Sequence, residues 1–204
     1  MSKTPIIIIA GLLAAAVAGG AAWWLLRPGE DRFAGCGASS VAGSGIGGPF
    51  TLVDETGATV TEKDVLTKPS LVYFGYTFCP DVCPTDSARN AAALDLLQER
   101  GLDVQAVFVS IDPERDTVDR VAEFTDYFHA DMIGLTGSAE QVAAASRAYK
   151  TYYARQPADD EYYLVDHSTF TYLTLPGEGV VAFFRRQDTP EEIAESMACF
   201  IDAG

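Results

Sequence analysis

Cys79 and Cys83, four residues apart in TFCPDVCPT (77–85), are the pair in this chain best suited to chemistry. Residues at i and i+4 lie on one side of a helical turn, so two thiolates there could share a metal ion. With modest backbone adjustment they could instead close a disulfide. The pair follows a continuous apolar stretch at 70–76 and precedes a helix-like stretch at 84–100. That is the carboxyl end of a strand, where open α/β sheets place their sites. Backbone N–H groups at a helix start favour negative charge, and thiols there ionise readily. The thiolate is the form that attacks disulfides and binds metal. A stabilising disulfide of an exported protein is the competing reading.

Two thiolates leave a metal under-coordinated, and the chain has two histidines to supply a third ligand. His129, in YFHAD (127–131), lies in a polar connection and reads as a solvated loop residue. His167, in VDHST (165–169), lies just before a strand-like stretch at 170–175. In a thioredoxin-like fold the segment entering that strand lies beside the cysteine loop. Cys79, Cys83 and His167 would form a soft-leaning set that suits Cu(I), with an imidazole that also tolerates Cu(II). Zinc competes, since Cys₂His plus water is a known zinc arrangement. Asp81 and Asp166 are candidates for orienting the imidazole or tuning the thiolates, and equally for ordinary loop carboxylates. The same two cysteines could act as a redox dithiol. A thiol peroxidase would need Thr three residues before its reactive Cys; those positions hold Tyr76 and Pro80.

The elements that must position these residues alternate along the chain. Strands are expected at 49–53, 59–60, 70–76, 104–111, 132–135, 170–175 and 180–186, and helices at 84–100, 117–128, 139–149 and 190–201. Pro84 near a helix start and Gly101 after its end follow the asymmetry helices prefer. The order argues for an α/β sheet covered on both faces. Residues 49–204 form this domain. Residues 28–48 hold seven Gly and read as a flexible tether.

Residues 5–26 are an uncharged apolar run of 22, long enough to cross a bilayer as a helix. We therefore expect residues 1–27 to be a single-pass membrane anchor in preference to a cleaved signal peptide. Lys3 and Arg27 give only a weak bias, which favours the domain lying outside the cytoplasm. The chain carries −15; without those two cations, 12 basic face 29 acidic side chains. Such a surface repels nucleic acid. Cys199 reads as a buried, inert thiol in the last helix, with a Cys36–Cys199 bridge left open.

Four stretches together resemble the Sco/SenC family of copper-binding assembly factors for cytochrome c oxidase. They are YFGYTFCPDVCPT (73–85), FVSIDPERDT (108–117), IGLTGSAEQV (133–142) and YLVDHSTFTYL (163–173). The resemblance covers residues 48–201 and implies a thioredoxin-like fold with a central mixed sheet. It implies copper held by Cys79, Cys83 and His167. It also implies delivery of that copper to the binuclear CuA site on the oxidase's second subunit, or reduction of the cysteines there. A family member of this kind would sit in the inner membrane with its domain on the periplasmic side. It would be served by an upstream periplasmic copper donor or a thiol reductant. Cys36 and the Gly-rich segment lie outside the match.

Overall fold

The structure, a computed structural model, describes residues 32–37, 39–158 and 162–204, with Gly19, Gly20 and Trp23. The chain divides into two compact units, Met1–Arg32 and Phe33–Gly204. Apart from those three residues, the expected anchor lies outside the described residues. Among the described residues no helix is long and apolar enough to cross a membrane.

The second unit is built on the two continuous apolar stretches. β4 (Ser70–Gly75) and β5 (Gln105–Ser110) are buried at every position. Unbroken hydrophobic runs of this kind belong to strands covered on both faces. They pair in parallel, and β5 pairs in parallel with β6 (Met132–Thr136). The crossovers are α2 (Val82–Glu99) and α3 (Val118–Phe128). β9 (Thr171–Leu175) runs antiparallel to β4 and forms a hairpin with β10 (Gly179–Phe184). β2 (Thr51–Asp54) and β3 (Thr59–Thr61) close the far edge, before a single turn, α1 (Glu62–Val65). With β1 (Ser39–Ser40) at the other edge, the result is an eight-stranded mixed sheet in the order β1-β10-β9-β4-β5-β6-β2-β3, the core of a thioredoxin-like α/β domain. On one face α2 and α5 (Pro190–Ala203) bury Leu94, Leu97, Ile193, Met197 and Phe200 against Leu71 and Leu173. On the other, α3 and α4 (Ala139–Ala148) bury Val121, Val142 and Ala145 against Leu52 and Leu135. A separate ribbon pairs β7 (Tyr153–Arg155) with β8 (Val165–His167).

The segment expected as a tether is instead part of the domain from Phe33 onward. β1 (Ser39–Ser40) pairs with Phe183 and Ala182 on β10, and the Val41 amide donates to the Val181 carbonyl at 2.8 Å. The Phe33 ring lies 4.9 Å from that of Phe200, and Ser196 Oγ donates to the Cys36 carbonyl at 2.7 Å. Cys36 is bonded to Cys199, so the reading of Cys199 as an inert thiol gives way to the bridge. Glycine content pointed to flexibility. The apolar residues spaced among the glycines decide the outcome, because they find the α5 surface and a sheet edge whose backbone groups need partners.

The bridge spans 163 residues of sequence. Closing so long a loop removes much of the unfolded chain's freedom. Replacing both cysteines with Ser should lower unfolding stability by about 3–5 kcal/mol. Denaturant titration measures this; an unchanged midpoint would mean that the bridge does not hold the segment down.

Candidate metal centre

The site forms where β4 ends and α2 begins. Tyr76 to Asp81 make the turn, and Cys83 falls in the first helical turn with Pro84 after it, where a missing N–H costs nothing. Cys79 Sγ accepts from the Cys83 amide at 3.4 Å. Cys83 is wholly buried and Cys79 is 8% exposed, and neither is in a disulfide. Gly75 is needed here because a Cβ on it would stand 2.9 Å from Cys83 Sγ and 2.8 Å from the Tyr73 ring.

His167 arrives from β8. Its Nε2 is 3.4 Å from Cys83 Sγ, and the ligand atoms of Cys79, Cys83 and His167 all lie within 4.8 Å of one another. Its Nδ1 is 2.8 Å from the Ser168 carbonyl, which can only accept. Nδ1 therefore carries the proton in the neutral ring, and the Nε2 lone pair faces the sulfurs. The rings of Tyr73 and Tyr76 stand edge-on to the imidazole, with centroids 6.2 and 5.8 Å away. Two thiols and a directed imidazole lone pair, shielded from water, fit a soft metal ion.

The two sulfurs differ electrostatically. Cys79 is drawn down to about 3, first by the hydrogen bond from the Cys83 thiol, then by His167 and by the amides of Asp81 and Cys83, against the opposing effect of burial. His167 donates to the thiolate when its ring is also protonated at Nε2. Burial pushes the Cys83 thiol up, and the neighbouring Cys79 thiolate pushes it further. One sulfur is thus a ready thiolate and the other a buried thiol.

Beneath the sulfurs lies a polar group that sequence reasoning missed. Tyr73 Oη donates to Asp86 Oδ2 at 3.0 Å and lies 4.0 Å from Cys83 Sγ. Asp86 is buried beside Arg89 at 3.1 Å, and Arg89 donates to Thr171 Oγ1 and the Arg185 carbonyl. Desolvation raises the Asp86 carboxyl, with Arg89 opposing. Asp116, also raised by burial, accepts from Ser110 Oγ at 2.6 Å and from Thr77 through both amide and hydroxyl. That carboxylate ties the cysteine turn to the stretch after β5. No pattern in the sequence singles these residues out, because Asp86, Arg89 and Asp116 stand in stretches already rich in polar residues.

The two carboxylates considered as candidates for tuning the site, or equally as ordinary loop residues, are both exposed. Asp166 is exposed and accepts from Gln156 Nε2 at 2.7 Å. Alternation along the strand turns it to the face opposite His167, and the Ser168 carbonyl orients the imidazole instead. The exposed Asp81 side chain makes no cap hydrogen bond; only its backbone contributes, through an amide directed at Cys79. His129 is bound away from the site, between Asp95 and the Asp131 amide.

The sequence profile of the family described as SCO1/SenC matches residues 39–202. Protein SenC of Rhodobacter capsulatus is 58% identical over 174 residues, which cover 85% of this chain and 79% of that protein. The mitochondrial SCO1 homologue of Homo sapiens is 40% identical over 75% of this chain, and the match spans 52% of the human protein's length. The crystal structure of Arabidopsis thaliana ScoI with copper bound superposes with a TM-score of 0.73 at 42% identity, covering 77% of this chain and 99% of that one. Yeast Sco1 with copper bound gives 0.71 at 33% identity, covering 77% and 88%.

The reactivity of apo Cys79 follows from its depressed pKa. Its alkylation rate should be flat between about pH 5 and 8, where an ordinary thiol gains roughly tenfold per unit. Cys83 should stay unmodified. Mass spectrometry of iodoacetamide-treated protein reads both, and a steep rise at Cys79 would contradict the asymmetry.

Proposed function

This chain belongs to the SCO1/SenC family, and from that premise we propose that it is a copper metallochaperone serving the CuA site on the second subunit of cytochrome c oxidase. The observation that carries the reading is the convergence of Cys79, Cys83 and His167 within 4.8 Å. Two sulfurs and one imidazole make a complete soft site for Cu(I), whereas zinc wants a fourth ligand. Both relatives with solved structures cited above are copper-bound, which supports the same cargo here. Copper would bind with loss of the remaining thiol proton, and would leave when a partner offers its own ligands.

Residues 1–27 would anchor the chain in the inner membrane, with the domain on the periplasmic side. The apolar run supports this, and so does the Cys36–Cys199 bridge, because disulfides persist in oxidising compartments. A free dithiol there needs an upstream thiol reductant, and the site needs a copper donor. The acidic surface would repel nucleic acid.

The asymmetry of the sulfurs favours a second activity of the same residues, reduction of the acceptor's cysteines. The Cys79 thiolate would attack the target disulfide to give a mixed disulfide, releasing one target thiol. Cys83, losing its proton, would displace the second, leaving a Cys79–Cys83 disulfide and a reduced target. That disulfide cannot hold metal, so oxidation and copper binding exclude each other.

Metal analysis of the full-length chain, purified with its dithiol reduced, tests the reading. About one copper per chain is expected, lost in Cys79→Ser or Cys83→Ser and after mild oxidation. His167→Ala should abolish tight binding yet leave the dithiol able to reduce a disulfide. Unchanged affinity in His167→Ala would refute the three-ligand site.

A further inference from the structure

His167 is carried on the β7–β8 ribbon, which among the described residues shares no ladder with the main sheet. Main-chain pairing to that sheet therefore does not hold the imidazole over the sulfurs. We infer that Tyr163 does: it is a positioning residue that acts through the row Tyr163, Val165 and His167.

Alternation along the strand puts these three on one face. Tyr163 and Val165 are buried and His167 is half-buried, while Leu164 and Asp166 between them are exposed. Tyr163 is fixed at both its hydroxyl and its ring. Its Oη donates to Asp112 Oδ1 at 2.6 Å. Its ring centroid lies 3.6 Å from the guanidinium carbon of Arg115 and 3.6 Å from that of Arg155. Arg115 Nε in turn donates to the other oxygen of Asp112 at 2.5 Å, so Asp112 holds the ring and one of its cations together. Arg155 pairs with Val165 across the ribbon and reaches Glu114 at 3.4 Å, which ties β7 to the same anchor.

One step further along the row, the Val165 amide donates to Tyr76 Oη at 3.2 Å, and the Tyr76 ring stands edge-on to His167. The row thus joins the 112–116 turn, the cysteine strand and the ligand. A planar ring between two cations, with its hydroxyl bound, has little freedom to shift, and any slip would be passed two residues on to the imidazole. Groups that orient a metal ligand from outside typically matter 10–100-fold in affinity.

The metal arm of the test rests on the copper reading above; the other arm does not. Full-length wild type, Tyr163→Leu and Tyr163→Phe are compared. Tyr163→Leu should weaken copper binding by about 10- to 100-fold in competition with a Cu(I) chelator. Tyr163→Phe, which keeps the ring between the cations, should lose less. In a His167→Ala background Tyr163→Leu should cause no further loss, because its effect runs through the imidazole. In the apo protein, hydrogen exchange at the Val165 and Ser168 amides should quicken in Tyr163→Leu while β5 keeps its protection. Unchanged affinity, an equal loss with and without His167, unchanged exchange at the ribbon, or faster exchange throughout β5 would each overturn the assignment. If wild type takes up no copper, the function is wrong, and the exchange arm still decides what Tyr163 does.

Discussion

Cys83 lies wholly out of water, and a thiolate in that position is costly unless a positive group sits against it. The fold offers that sulfur only weak help, from the Tyr76 amide and the Tyr73 hydroxyl, while the Cys79 thiolate opposes its charge and the imidazole lone pair 3.4 Å away suits its thiol form. None of them supplies a full positive charge. A metal cation held by Cys79, Cys83 and His167 would supply it, and the dry surroundings would strengthen that attraction. Joining the sulfurs to each other removes the charge altogether. Metal binding and disulfide formation would thus be two resolutions of the same electrostatic problem.

The site geometry needs a rigid floor. Asp86 and Arg89 are both buried, an arrangement that is expensive unless each lone pair and proton finds a partner. Tyr73, Thr171 and the Arg185 carbonyl supply most of these partners, from β4, β9 and the end of β10, while Arg89 Nε is left without one among the described residues. The network thereby fixes three strands and α2 in one relative position. Gly75 adds a steric limit, because the sulfur occupies the space a Cβ would fill. On the flank, Asp116 holds Thr77 from beside β5. The cysteine turn is braced from below and from the side, which leaves the imidazole as the ligand that comes from outside the main sheet.

The parts of this arrangement with a short-range signature were legible in the sequence. The apolar runs of β4 and β5 mark covered strands, the Cys spacing marks one helical turn, and His167 was placed by its position before β9. What escaped depends on register or on distant pairing. Asp166 reads as a candidate for orienting the imidazole and equally as an ordinary loop carboxylate; adjacency to His167 in a strand turns it to the opposite, exposed face. Tyr163, by the same alternation, belongs to the ligand's face. Its clamp draws on residues 112, 115 and 155, and no spacing rule links these. Cysteine pairing likewise cannot be read from spacing, so the Cys36–Cys199 bridge, and with it the docking of a Gly-rich segment, emerged only from the packed fold.

The bridge also explains how one domain can hold a disulfide and a free dithiol together. Cys36 belongs to the core on the α2–α5 face, whereas Cys79 and Cys83 belong to the cluster that includes Val121, Val142 and the ligand-bearing β8. Thiol–disulfide exchange requires a thiolate to reach a disulfide sulfur directly. Two pairs embedded in separate packed cores have no such path within a folded chain. The staple can therefore stay oxidised while the dithiol answers only to what reaches it from outside, through the 8% of Cys79 that remains exposed.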